Sequence, residues 1–189
     1  MSNFTSRFSH ARILVVDDSV FDRRLILLAL KKAGFNKVFT ADDGAEAVQK
    51  TYDLHPDLVL LDLNMPNLDG FGYCEMVRND KSLPKMPIIV QTSMKNRQSW
   101  LHALSCGADD FLTKPLDMAE LTLRICVHAE RYFMLNELQN MCEYLKMELE
   151  YAQGIRKDLE KSGLSDEAVH SLNRHYEVLE EIVYATSGA

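Results

Sequence analysis

Three acidic residues, one lysine and two hydroxyls stand where a sequence would put chemistry. Asp17 and Asp18 close the stretch ILVVDDS, Asp62 lies inside LVLLDLNMP, Thr92 and Ser93 end IIVQTS, and Lys114 follows at FLTKP. Each comes directly behind a run of apolar residues. Carboxylates gathered around one point repel, raising at least one pKa, unless a cation sits among them. An all-oxygen donor set, with positions left for water and phosphate, suits Mg²⁺ better than a softer metal. A lysine and a hydroxyl beside such an ion make a nest for a tetrahedral anion. Phosphoryl transfer then needs little beyond positioning and charge neutralisation. A carboxylate can itself be the nucleophile, giving an aspartyl phosphate.

The elements that must position these groups can be read from periodicity. Short apolar runs alternate with helical patterns five times, the signature of a parallel sheet flanked by helices. Strands are predicted at Ile13–Val16, Lys37–Thr40, Leu58–Leu61, Ile88–Gln91 and Asp109–Leu112, and helices at Phe21–Lys32, Ala45–Leu54, Phe71–Asn79 and Asn96–Ser105. Ala33-Gly34 and Cys106-Gly107 close helices, and Asp42-Asp43-Gly44 opens one. In an open parallel sheet the ligand site lies beyond the carboxyl ends of the strands, at the switch point of strand order. All the groups named above fall at such ends. Taken singly each has a plain explanation: Asp17 and Asp18 suit a helix cap, and Lys114 a solvated charge. Taken together, with four strand ends populated, they favour a site.

These residues carry a resemblance. ILVVDDS, LVLLDLNMPNLDGF, IIVQTS and GADDFLTKP, in that order and spacing, resemble the receiver domain of two-component response regulators, of the single-domain chemotaxis-regulator type, over roughly residues 10 to 128. Several such motifs in order are strong where one alone is weak. The resemblance implies a flavodoxin-like, doubly wound five-stranded sheet of order 2-1-3-4-5. It implies that Asp62 accepts the phosphoryl group, that Asp18 binds Mg²⁺ directly and Asp17 mainly through water, and that the backbone carbonyl of Asn64 completes the protein ligands. Lys114 would pair with a phosphoryl oxygen, Thr92 would donate its hydroxyl to another, and the Lys114–Pro115 bond would be cis. Phe111 stands at the switch aromatic, where many relatives have Tyr, and lacks that hydroxyl. Ser93 is small, leaving access to Asp62 open, and Met94 occupies a position that tunes dephosphorylation. The implied phosphoryl source is a histidine kinase or phosphotransfer protein.

A Mg²⁺-dependent phosphatase of the haloacid-dehalogenase type also uses an Asp nucleophile on an α/β sheet, but its DxDxT pattern has a second acid. Asn64 stands at that position, which disfavours a turnover enzyme.

Composition sets the frame. The chain has 189 residues, 47% hydrophobic and 26% charged, and no apolar run long enough to cross a bilayer, so a soluble, cytoplasmic protein is expected. The polar start, MSNFTSRFSH, lacks the apolar core of a secretory signal. Cys74, Cys106, Cys126 and Cys142 form no CxxC pair and read as reduced thiols. Residues 1–128 hold 15 Lys+Arg against 16 Asp+Glu, whereas residues 129–189 hold 6 against 12. A DNA-binding output region would show the opposite sign.

The expected organisation is a disordered terminus over 1–10, a receiver over 11–128 and a helical tail over 129–189. A helix starting near Asp117 should pack Leu121 and Ile125 on the sheet. Beyond it Leu135, Leu138, Cys142, Leu145, Leu149, Ala152, Arg156 and Leu159 keep a heptad seam. Gly154 weakens that helix and Ser162-Gly163 reads as a stop. A second helix capped by Ser165, with Asp166 and Glu167 in its first turn, carries Val169, Leu172, Tyr176, Leu179 and Val183. Such helices suit an antiparallel hairpin or a four-helix bundle across a homodimer. His170 and His175 are spaced off one helix face and make no zinc pair; His128 is a packing or hinge residue. The expected output is a phosphorylation-driven change in helix pairing or partner binding. The rivals are a constitutive coiled-coil adaptor and the front part of a longer regulator bearing a cyclase or phosphatase domain.

Overall fold

Five apolar runs pair as a parallel sheet in the computed structural model, which describes residues 7–93, 101, 102, 104–162 and 178. The elements are β1 (Arg12–Val16), α1 (Val20–Ala33), β2 (Lys37–Ala41), α2 (Gly44–Leu54), β3 (Leu58–Asp62), α3 (Gly70–Asn79), β4 (Ile88–Thr92), β5 (Asp110–Thr113) and α4 (Met118–Ser162). Strand order is β2-β1-β3-β4-β5. β3 and β4 are buried along their whole length, as strands covered on both faces are. The register pairs Val16 with Leu61, Asp62 with Gln91 and Thr92 with Thr113. That alignment brings the polar groups after the strands to one end of the sheet.

Capping explains where the helices begin. Ser19, Asp43 and Asp69 accept from the N–H of Asp22, Glu46 and Gly72, starting α1, α2 and α3. Glu46 in turn accepts from the N–H of Asp42, the residue before that cap, at 2.6 Å. At the other end of α1, Gly34 takes φ 102°, and Phe35 N–H reaches back to Leu30 O at 3.1 Å, closing the helix as the Ala33-Gly34 pair predicts. Gly70 is required by proximity: a Cβ there would lie 2.4 Å from Asp62 O and 2.8 Å from Leu63 Cα. Its bare backbone lets α3 start against the end of β3.

The sequence boundaries shift by one residue in most elements, and β5 runs Asp110–Thr113 rather than Asp109–Leu112 because Thr113 still pairs with Thr92. Residues 7–10, expected to belong to a disordered terminus, form a turn, with Phe8 only 5% exposed and its carbonyl accepting from Ala11 N–H at 3.0 Å. Burial of that ring is worth roughly 1.5–3 kcal/mol, which is why the turn holds. The helix expected over Asn96–Ser105 lies largely outside the described residues, as do Met94 and the second tail helix with His170 and His175. All four cysteines are free, and burial pushes the Cys74 thiol up to about 12.

α4 starts on Asp117, whose carboxylate accepts from Ala119 and Glu120 N–H. It buries Leu121, Ile125, Cys126, Ala129 and Tyr132. The chain divides into two compact units between Tyr132 and Phe133, while α4 continues unbroken past residue 128 and through Gly154 to Ser162. In the second unit Leu135 and Leu138 are exposed, and Cys142, Leu145, Leu149, Ala152 and Arg156 are half-buried.

His128 is engaged in packing: its Nε2 lies 3.0 Å from Asp110 Oδ2. Arg124 Nη1 donates to both Asp110 oxygens at 2.9 and 2.8 Å, tying α4 to β5. Burial alone would raise the Asp110 carboxyl, but the bonds from Arg124 and His128 outweigh it and hold the group below the ordinary carboxylate range. A depressed acid contributes stability that is present above its unfolded pKa and lost as pH falls through the folded one. Asp110→Asn is therefore expected to cost about 1 kcal/mol at pH 7. That difference should shrink below about pH 4 in urea melts run across pH.

A carboxylate cluster at the carboxyl end of the sheet

The chain turns polar at the point where each central strand ends. β1 stops at Val16, and Asp17 follows with no exposed surface; Asp62 is the last residue of β3 and 5% exposed; Thr92 is the last residue of β4 and 1% exposed. Asp18 is exposed, as a residue that meets solvent ligands must be. Asp17, Asp18 and Asp62 each offer a carboxylate oxygen within 4.8 Å of the others.

Lys114, directly after β5, reaches into this cluster. Its Nζ lies 2.8 Å from Asp17 Oδ2 and 3.6 Å from Asp22 Oδ2, and it donates to Asp62 Oδ2. Ser19 N–H donates to Asp17 Oδ1 at 2.8 Å, and Asn64 N–H to Asp62 Oδ1 at 3.0 Å. The acids are thereby fixed by backbone donors on one oxygen and by the ammonium on the other. Burial pushes the Asp17 carboxyl up, against the pull of Lys114 and the Ser19 N–H. Burial would lower Lys114, but its bonds to Asp17 and Asp62 prevail and hold it above the usual ammonium value. One lysine between three acids leaves the cluster negative. Three hard oxygen donors, two from the loop after β1 and one from the end of β3, with net negative charge, fit a divalent cation of the Mg²⁺ type.

The remaining expected residues fall around this centre. The Lys114–Pro115 peptide is cis, and Phe111 lies half-buried on β5, one strand away from Thr92's. Three contributors were missed in the sequence. Ser19 caps α1 and also holds Asp17. Arg23 donates to the Asp17 backbone carbonyl and pairs with Asp42 at 2.6 Å. Gln91, fully buried, donates from Nε2 to Asp17 Oδ2 at 3.0 Å. Only Gln91 left a signal: a polar residue inside the apolar run IIVQT.

The response regulator receiver domain matches residues 13–126. The chain belongs to this family. It is 36% identical over 114 residues to the DNA-binding dual master transcriptional regulator RpaA of Synechocystis, covering 60% of this chain and 47% of that protein. It is 36% identical over 129 residues to the response regulator PleD of Caulobacter vibrioides, covering 68% and 28%. The chemotaxis protein CheY4 of Vibrio cholerae superposes with a TM-score of 0.59 at 30% identity, covering 63% of this chain and 98% of that one. The chain thus spans about half or less of the length of those two regulators. Receiver domains are signalling modules that interact with histidine kinases or phosphotransfer proteins and bind Mg²⁺ at an acidic pocket. Among the described residues no helix is long and apolar enough to cross a membrane.

Proposed function

We propose that this receiver is a phosphoacceptor whose nucleophile is Asp62, and that its phosphorylation switches the helical tail. The observation that carries the reading is the convergence of Asp17, Asp18 and Lys114 on the buried Asp62 carboxylate at the end of β3. In the reaction an Asp62 carboxylate oxygen forms a bond to phosphorus as the bond to the donor's leaving group breaks, giving an acyl phosphate. Lys114 moves its ammonium from the carboxylates onto a phosphoryl oxygen, and the Thr92 hydroxyl donates to another. Asp17, Asp18, Asp62 and the Asn64 carbonyl would hold Mg²⁺. That ion supplies neutralisation of the charge on the phosphoryl oxygens.

The phosphoryl donor we assign is a histidine kinase or phosphotransfer protein. In support, α1 presents Phe21, Leu25 and Leu28 along one face, 73%, 44% and 67% exposed. Spacing of four and three residues makes this an apolar row for a partner helix. Phe21 and Leu25 also line a cleft with Lys114 and Pro115, so a donor docked on α1 meets the acidic site.

For the output we propose self-association through the tail. Leu135, Leu138, Met141, Tyr144 and Met147 are 50–58% exposed on one helix of the second unit, more apolar surface than a solvated helix carries without a partner. A second copy supplies one, and Thr92 with Phe111 forms the switch between phosphate and surface. Light scattering with Mg²⁺, with and without beryllofluoride as phosphoryl mimic, is expected to show the mass doubling. A constitutive adaptor would bind the mimic with no change in mass, and that result would refute phosphorylation-driven self-association while leaving the phosphoacceptor intact.

A further inference from the structure

Gln91 is a residue of the site that neither the helix caps nor the charge pairing calls for. It lies on β4 opposite Asp62 and is wholly buried. Its Nε2 is 3.0 Å from Asp17 Oδ2 and 3.5 Å from Val16 O, while its Oε1 is buried with no hydrogen-bond partner among the described residues. The opposite amide orientation would set Oε1 against the Asp17 carboxylate, so the donor must face the acid. An orphaned buried carbonyl costs folding free energy, and an aliphatic residue of the same size would avoid that cost. The orphaned Oε1 offsets what the Nε2 bonds contribute, so stability gives little net reason for glutamine inside an otherwise apolar strand. The Asp17 contact does.

We infer that Gln91 is a positioning residue: it holds the Asp17 carboxylate in its ligating orientation while Lys114 is drawn to the phosphoryl group, and so tightens divalent-cation binding. The inference rests on the phosphoacceptor reading above. Lys114 Nζ is shared between Asp17, Asp62 and Asp22, and an ammonium that engages a phosphoryl oxygen gives up part of its hold on Asp17 Oδ2. What remains on Asp17 is the Ser19 N–H at Oδ1 and the Gln91 amide at Oδ2. Two donors on opposite oxygens fix the plane of a carboxylate, whereas one leaves it free to turn. Partners that orient a ligating group in this way typically contribute 10–100-fold to metal affinity.

The test is Mg²⁺ titration calorimetry on the full chain with beryllofluoride present as phosphoryl mimic, so that Lys114 is drawn from Asp17, wild type beside Gln91→Leu, Gln91→Met and Asp18→Asn, paired with thermal unfolding of each in a chelator. Wild type should bind one Mg²⁺ and Asp18→Asn none. Both Gln91 variants should bind about tenfold more weakly, with a metal-free melting temperature close to that of wild type, since the lost Nε2 bond and the removed orphaned carbonyl offset one another. Affinities within twofold of wild type would overturn the inference and leave the acidic site standing. So would a lowered metal-free melting temperature in both variants, the mark of a structural residue. No binding by wild type would remove the acidic-site reading itself and the inference with it.

Discussion

Asp62→Asn is expected to take Mg²⁺-dependent labelling by acetyl phosphate down to background, a loss of at least about 10³-fold, of the order seen when a nucleophile is removed. An amide oxygen neither carries the charge of a carboxylate nor leaves a stable acyl phosphate. The fold should tolerate the change, because Asn keeps an oxygen for the Asn64 N–H that Asp62 now holds at 3.0 Å. Relieving one negative charge from a cluster of three acids and one lysine should also leave the metal-free protein no less stable. Labelling that persisted in this variant would move the phosphoacceptor elsewhere and defeat the proposed mechanism.

The second large effect concerns the cation. Ligand that binds only the folded state stabilises by mass action, so Mg²⁺ at about 100 times its dissociation constant should add about 2.7 kcal/mol, roughly 10 °C for a unit of this size. Asp18→Asn should abolish that increment. Asp18 is exposed and borders the buried pair Asp17 and Asp62, so its loss removes a ligand without opening the core. Calcium, with its longer bonds and looser geometry, should give a smaller shift if the three carboxylates are spaced for octahedral Mg²⁺. Equal melting curves with and without Mg²⁺ in the wild-type protein would mean that the cluster does not hold the ion.

What the sequence made legible follows from where its signals are local. Strand ends were readable because apolar runs such as LVLL stop abruptly at Asp62, and the start of α2 because Asp42-Asp43-Gly44 carries its side-chain cap, Asp43. The acidic site came with them, since each carboxylate sits at a strand end. Gln91 was not readable as a partner of Asp17: they are 74 positions apart, and only the pairing of β3 with β1 and β4 brings them together. Arg23 lies only six positions from Asp17, but its bond to the Asp17 carbonyl depends on how the chain turns from β1 into α1, which residue type and spacing do not show. The turn over residues 7–10 was missed because polar composition hid one buried ring, Phe8. No glycine or proline separates residue 128 from residue 133, so the division between the two compact units at Tyr132 has no local mark. It shows only as the change from buried Ala129 and Tyr132 to exposed Met134 and Leu135.

The most direct test of the phosphoacceptor is to locate the phosphoryl group chemically. After incubation with acetyl phosphate and Mg²⁺, borohydride reduces an aspartyl phosphate to homoserine, which tandem mass spectrometry places in the sequence. Homoserine at position 62 is the expected result. Homoserine at Asp17 or Asp18, or phosphorylation retained on a histidine, would contradict it.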